Sequence, residues 1–361
     1  MSENTDPGHR YAGLIRRLLA ICYDLFLLIA LFFEQHSFAH HSRSNFDLTS
    51  TIVIKGSIVE WRYRNPHAFL KLQSLENGEP VTWTVELGSI PNLKQMGLDR
   101  DSVKIGDEIE LIANPEKNPK KNYLFFKSMI INEKNTFSFA DVFAYSDSAK
   151  AKGKEKPGSS DFTGKWDEEI SRNAILLGSG LPPFNVTKLG ADIIASYDPS
   201  EEPSFYCEPV GLPSMIGTPY AIEITKDKNN YKIRHEFPGT TRTVHMNKEN
   251  LPDRDNPDVY GHSIGEIIDG KLIIETDNFI PTKWGIGQGL DSSSSKHVTE
   301  VYSLKEDGHI LEIVYTVSDP VYLKEPFSKT HIKRIVPDYK LTEYEECDPE
   351  FAKMHLLYEN Q

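Results

Sequence analysis

The residues best suited to chemistry stand near the start of the chain. His40 and His41 follow Ser37-Phe38-Ala39, whose small residues occupy the −3 and −1 positions of a signal-peptidase site. Cleavage after Ala39 would leave His40 with a free α-amine beside its imidazole, a two-nitrogen chelate that no internal residue offers. Imidazole suits copper(II), and a third nitrogen would complete a site of the histidine-brace type. His67, just after Asn65-Pro66, is the candidate third ligand, with His41 as its substitute. Copper is therefore the one cofactor these residues suggest. The competing reading is a solvated N-terminus and a His67 hydrogen-bonded within a turn.

Other motifs are weaker. Gly261-His262-Ser263-Ile264-Gly265 matches a nucleophile elbow, but that chemistry needs a strand, a sharp turn and then a helix behind the serine. The residues that follow, through Asp269-Gly270, read as strand, hairpin and strand, so a hydrolase acting through Ser263 is not expected. Gly285-Ile286-Gly287-Gln288-Gly289 lacks the strand-to-helix context of a dinucleotide site and reads as a rim loop. Asp253, Asp255 and Asp258 miss EF-hand spacing and read as a solvated loop. The remaining candidates are inward positions of a β-barrel. His235, Arg242, His245 and Tyr315 could anchor a small apolar ligand, and the alternative is a filled core. The expected function is non-catalytic binding, with copper binding as the alternative.

These residues need elements to position them. Arg10, Arg16 and Arg17 precede the sixteen-residue apolar run from Leu18 to Phe33, so residues 1–39 read as a signal peptide. The run is short of the roughly 20 residues needed to span a bilayer, and Asp24 interrupts it. An uncleaved membrane anchor is the other reading. Either way the chain is expected to be exported, to the periplasm or beyond. The net charge of −13 opposes a grip on nucleic-acid phosphates. Residues 40–132 show five alternating strands with a short helix, Ser89 to Met96, between the third and fourth, the plan of an OB-like barrel. Residues 46–132 carry 11 basic and 11 acidic residues, so this segment too lacks a cationic surface.

Residues 133–160 read as a linker, since Ser146 to Ser160 has no periodic apolar pattern. Residues 161–361 form an antiparallel meander with hairpin turns at Asp269-Gly270 and Asp307-Gly308, which closes most easily as a barrel. The fold class is thus mainly β, an OB-like barrel followed by a lipocalin-like one. Loss of residues 1–39 removes Cys22 and leaves Cys207 and Cys347, which in an exported chain are expected to pair, the alternative being two buried thiols.

Two resemblances accompany this layout. Gly164-Lys165-Trp166, with Arg334 near the end of the last strand, resembles the lipocalin pairing in which a late arginine covers an early tryptophan. The wider chain resembles a family of exported bacterial proteins of uncharacterised function. The motifs are His40-His41-Ser42, Trp61 through Asn65-Pro66-His67, Cys207-Glu208-Pro209-Val210-Gly211-Leu212-Pro213, Tyr260-Gly261-His262-Ser263-Ile264-Gly265 and Tyr344-Glu345-Glu346-Cys347. Trp61 and Asn65 stand one residue further apart here than in the family's pattern. The resemblance implies export and this two-part layout, and no reaction.

Overall fold

The computed structural model describes residues 46–169, 184–209, 211–247, 255–287, 289–343 and 347–353. All lie in one compact unit. The protein is two successive β-barrels.

The first barrel has five strands: β1 (Ile52–Arg62), β2 (Phe69–Glu76), β3 (Glu79–Glu86), β4 (Glu108–Pro115) and β5 (Tyr123–Ile131). β1 pairs antiparallel with β2 and β4, and a parallel β3–β5 ladder closes the ring. This is the OB-like order expected from the alternation. Asn77 and Gly78 both have positive φ and join β2 to β3 in a two-residue hairpin turn. Gly56 reads as a bulge by sequence, yet it pairs in register with Ile109 and the register shift falls between Ile58 and Glu60. Glycine is needed at 56 because a Cβ there would stand 2.1 Å from the Gln73 carbonyl oxygen. Helix α1 (Ile90–Gln95) lies between β3 and β4. Its first N–H is capped from afar, by Asn65 Oδ1 at 3.2 Å, while the Ser89 hydroxyl turns to Asn92. Ile58, Leu70, Leu72, Val85, Leu111 and Leu124 form the core.

Residues 133–160 are not a loose linker. A hairpin returns the chain as β6 (Asn135–Ser138) along β5, and helix α2 (Phe139–Gly153) follows. Ser138 and Asp141 form a capping box at its start. Phe139 and Phe143 pack on the first core, whereas Tyr145 and Ala149 pack on Ala221, Val336 and Tyr339 of the second half. Lys150 Nζ donates to the Glu168 carbonyl at 2.6 Å. Gly153 sits against Ile335, where a Cβ would lie 2.2 Å from the carbonyl oxygen. Apart from Tyr145, the second-half contacts of α2 are made by small and polar side chains, so no apolar stripe betrayed them in the sequence.

The second barrel has nine strands. They are β7 (Gly164–Glu168), β8 (Ile222–Asp227), β9 (Asn230–His235), β10 (Thr241–His245), β11 (His262–Ile268), β12 (Lys271–Asp277), β15 (His297–Lys305), β16 (Ile310–Ser318) and β17 (Phe327–Ile335). β7 pairs with both β8 and β17, which closes the ring. One pair departs from the antiparallel expectation: β10 and β11 run parallel, with Val244 opposite Ser263. A parallel neighbour requires a connection that returns to the starting end, longer than any tight turn. Between β12 and β15 the chain makes a separate hairpin, β13 (Thr282–Gly287) and β14 (Leu290–Ser292), so the glycine-rich stretch read as a loop is partly strand.

Trp166 is fully buried, its indole N–H donating to the Phe162 carbonyl at 3.0 Å. Arg334 does not cover it. Trp166 lies opposite Ile335, so Arg334, one residue earlier on β17, faces outward and pairs with Glu169 at 2.7 Å. Between the two barrels, the Tyr220 hydroxyl donates to Ser89 Oγ at 3.0 Å. Cys207 and Cys347 form a disulfide with Cα atoms 5.7 Å apart. Cys347 also bridges Asn65 of the first barrel. Among the described residues no helix is long and apolar enough to cross a membrane.

Candidate functional site

Alternation decides what enters the second barrel. On β15, Val298, Glu300 and Tyr302 share a phase and lie opposite Val317, Tyr315 and Ile313 of β16. Tyr315 and Ile313 in turn face Lys329 and His331 of β17. Trp166 and Glu168 of β7 and Ile233 and His235 of β9 complete the inner surface from the other side. Most of these residues are apolar and tightly buried. The rest form two ionic clusters.

The first cluster is centred on Arg242 of β10. Its Nη2 donates to Glu300 Oε2 at 2.5 Å and to the Tyr302 hydroxyl at 3.3 Å, and its Nη1 donates to Ser263 Oγ at 3.3 Å. Burial would lower the Arg242 pKa, but attraction to Glu300 prevails and holds it above the ordinary value. Burial, then the Glu300 charge, pushes the Tyr302 hydroxyl up, so it stays protonated and donates to the carboxylate at 3.0 Å.

The second cluster is centred on Glu168. Its oxygens accept from Lys333 Nζ at 2.5 Å and from His331 Nδ1 at 3.0 Å. Burial opposes the Glu168 charge, yet Lys333 and His331 together hold its pKa below the usual carboxylate value. The Tyr315 ring stacks on His331, centroids 5.9 Å apart. His235 shares the space of both clusters. Burial first, then the charges of Arg242 and Lys333, depress its pKa well below that of a free imidazole, so it is neutral.

Several polar atoms here have no hydrogen-bond partner among the described residues. They are both ring nitrogens of His235, Arg242 Nε, Glu300 Oε1 and His331 Nε2. The Met215 backbone acts on His235 in the opposite sense, favouring its charged form, but is outweighed by burial. A buried polar group left unsatisfied costs roughly 1–3 kcal/mol. The unfilled capacity is mixed, with donors and acceptors together. Glu300 is paired with Arg242 and Glu168 with Lys333, and the partly buried Lys329 also acts on Glu168 from the inward phase of β17. An open groove of about 390 Å³ lies instead at the β7–β8 seam, lined by Gly164, Lys165, Glu223, Thr225 and Pro337.

Of the candidates read from sequence, His235, Arg242 and Tyr315 lie in the barrel interior. His245 does not. It follows the inward Val244 on β10, faces the other way, and feels His262 rather than the clusters. Glu168, Glu300, Tyr302, His331 and Lys333 escaped the sequence reading. Their signal was present: Glu300 occupies an apolar phase between Val298 and Tyr302, and Lys333 one between His331 and Ile335. Ser263 is buried on β11, bonded to Thr276 at 2.9 Å, and β11 turns into β12 without a helix. That surrounding is structural.

His40 and His41 lie outside the described residues. His67, at the entrance to β2, has Nδ1 2.6 Å from Glu86 Oε1. Glu86 is fully buried, and its other oxygen accepts from the Tyr123 hydroxyl. Among the described residues no group of three or more His, Cys, Asp or Glu side chains is placed to hold a metal.

Residues 29–125 match a family of unknown function, DUF6152. No curated protein matches the chain. Among solved structures, the mitochondrial single-stranded DNA binding protein Rim1 of S. cerevisiae is 15% identical, with a TM-score of 0.19, covering 23% of this chain and 93% of that one. A second crystal form of Rim1 gives 14% and 0.20, covering 23% and 92%. A secretary abundant heat soluble protein from Ramazzottius varieornatus is 14% identical, with a TM-score of 0.26, covering 49% of this chain and 96% of that one. TM-scores this low carry no weight for function, and the two barrels are assigned from their own strand order.

Proposed function

We propose that this is an exported, non-catalytic binding protein whose second barrel takes a small, mainly apolar ligand with an uncharged hydrogen-bonding head. The single observation behind this reading is the set of unpartnered polar atoms that His235, Arg242, Glu300 and His331 hold inside an otherwise apolar interior. A ligand hydroxyl or amide both donates and accepts, as those atoms require. A carboxylate would have to displace Glu300 from Arg242, and an ammonium would have to displace Lys333 from Glu168. Export rests on the basic and apolar pattern of residues 1–39.

Calorimetric titration with dodecan-1-ol, dodecanoate and dodecylammonium tests the reading. The alcohol should give saturable heat, with binding at least tenfold tighter than either charged analogue, and His235→Leu should abolish the preference. No saturable heat from any of the three would mean that the interior holds water only, and the reading would fail. Export is checked separately, by fractionation and by N-terminal sequencing for His40.

A further inference from the structure

We infer that Lys329 is a covalent anchor of the second barrel, an amine placed beside the Tyr315 hydroxyl to capture a small apolar aldehyde as an imine. This rests on the reading of that interior as a small-ligand site and narrows the ligand to a carbonyl compound.

Lys329, His331 and Lys333 occupy alternate positions of β17 and share its inward phase. Glu168 engages two of them, His331 through Nδ1 and Lys333 through Nζ. Lys333 also donates to the Tyr220 carbonyl at 3.3 Å. Lys329 differs. Among the described residues its amine makes no hydrogen bond and no ion pair, and Glu168 reaches it only through space.

The surroundings of that amine are aromatic. Tyr315 stands directly opposite Lys329 on β16, and the Cβ atoms of such a pair lie about 4.5–5.5 Å apart. The Tyr315 ring packs on Phe327, with centroids 6.4 Å apart, and Phe327 packs on Phe184 at 5.0 Å. Lys329 is half-buried here, while Ser328 and Thr330 on either side of it are exposed. Burial disfavours the ammonium and Glu168 offsets this only in part, so the Lys329 pKa lies below that of a free lysine. A desolvated lysine holds more of its nucleophilic free amine. Burial pushes the Tyr315 hydroxyl up, so it keeps its proton, and among the described residues no acceptor takes it. Nε2 of His331, whose ring stacks on Tyr315, is unpartnered as well. Lys296 shows what a structural lysine in this barrel looks like. Its amine donates to the Leu212 and Gly285 carbonyls and lies over the Phe279 ring, so the fold occupies it fully.

An aldehyde is uncharged and its oxygen accepts hydrogen bonds. The Lys329 lone pair forms a C–N bond to the aldehyde carbon, and the carbonyl oxygen takes a proton as its π bond breaks, with the Tyr315 hydroxyl in place to supply it. The nitrogen returns a proton to Tyr315. The C–O bond of the carbinolamine then breaks and its oxygen leaves as water. Both amine protons depart with that water, so the imine forms without oxidant or reductant.

Reductive trapping with dodecanal tests this. Wild-type chain is mixed at pH 7 with less than one equivalent of the aldehyde and sodium cyanoborohydride, and the dodecyl group is located by peptide mass spectrometry. Lys329 should carry it at least tenfold more than the exposed Lys55 and Lys305. Excess dodecan-1-ol should suppress the labelling of Lys329 and spare the others. Lys329→Arg keeps a cation but no nucleophile, and should lose the adduct. Tyr315→Phe keeps the ring and should slow labelling of Lys329 about tenfold or more, leaving the surface lysines unchanged. Wild-type Lys329 labelled no more than the surface lysines would overturn the inference, and so would labelling that excess dodecan-1-ol leaves intact. The heat of dodecan-1-ol binding to the same sample separates the two failures. Saturable heat with Lys329 unlabelled removes the aldehyde alone, and no heat with Lys329 unlabelled removes the ligand reading with it.

Discussion

Arg242 and Glu300 should not be equivalent partners, although they share one ion pair. Their side chains are 4% and 0% exposed, with nitrogen and oxygen 2.5 Å apart. Removing one member of such a pair typically costs about 3–5 kcal/mol, because the other charge stays buried without compensation. Glu300→Leu strands a guanidinium that cannot lose its proton. The Ser263 and Tyr302 oxygens are all that remain to it, so this variant should lie near 5 kcal/mol. Arg242→Met strands a carboxylate that still accepts from the Tyr302 hydroxyl at 3.0 Å. Its cost should be about 3 kcal/mol at pH 7. The double variant should cost less than either single one, since an apolar replacement of a buried pair is often neutral. Denaturant-dependent hydrogen exchange in peptides from β10 and β15 reads these values locally, without assuming that the two barrels unfold together. Additive costs, with a coupling below about 0.5 kcal/mol, would refute the pairing.

Three further outcomes follow from other parts of the fold. Thiol titration of the unfolded, unreduced chain should find Cys22 alone, or nothing once residues 1–39 are removed, and Cys207→Ser/Cys347→Ser should lose about 4–5 kcal/mol on the chain-entropy account; two further free thiols would contradict the bond. Burial lowers the Lys296 pKa to about 8, with Asp319 opposing. Because the folded value lies below the unfolded one, wild type should gain about 3 kcal/mol relative to Lys296→Met between pH 7 and 10.5, measured by urea denaturation at each pH; parallel curves would show a solvated lysine. Gly153→Ala should destabilise the contact of α2 with Ile335 by about 1–3 kcal/mol, seen as faster exchange in both segments, because the added carbon meets a backbone oxygen; unchanged exchange would mean that the helix is not seated there.

The β-strands were legible because one of their faces meets water. Val81, Trp83 and Val85 alternate with threonines, and the Asn77-Gly78, Asp269-Gly270 and Asp307-Gly308 turns mark chain reversals through local φ alone. What escaped was set by tertiary contact. Glu86 occupies a polar phase and is buried, because Phe46 and Tyr123 cover a second face that alternation assigns to solvent. Helix α2 divides its apolar side chains between two cores, Phe139 and Phe143 on the first and Tyr145 and Ala149 on the second, so no single stripe marks it. The parallel β10–β11 pair has no local signature, because direction is decided by where a connection returns. In the barrel interior, Arg242 and His235 stood out as polar residues among apolar neighbours. The same test applied to Glu300 and Lys333 would have found their partners. His245 was misplaced by a single residue of phase, which on a strand is the whole difference between inside and outside.

The disulfide has a consequence for how the second barrel can be assembled. The loop it closes, from Cys207 to Cys347, contains β8 through β17. β7 alone lies outside it. An oxidised chain therefore carries a hoop holding every stave but one, and the last stave is threaded in from the side of the first barrel. Five residues, Gly164 to Glu168, make both the β7–β8 and the β7–β17 seam. A fragment cut at residue 170 would retain its disulfide and present two bare strand edges of the kind that recruit another chain. The first barrel and α2 thus lead directly into the segment that seals the second, and the two halves cannot be cut apart after β7 without opening one of them.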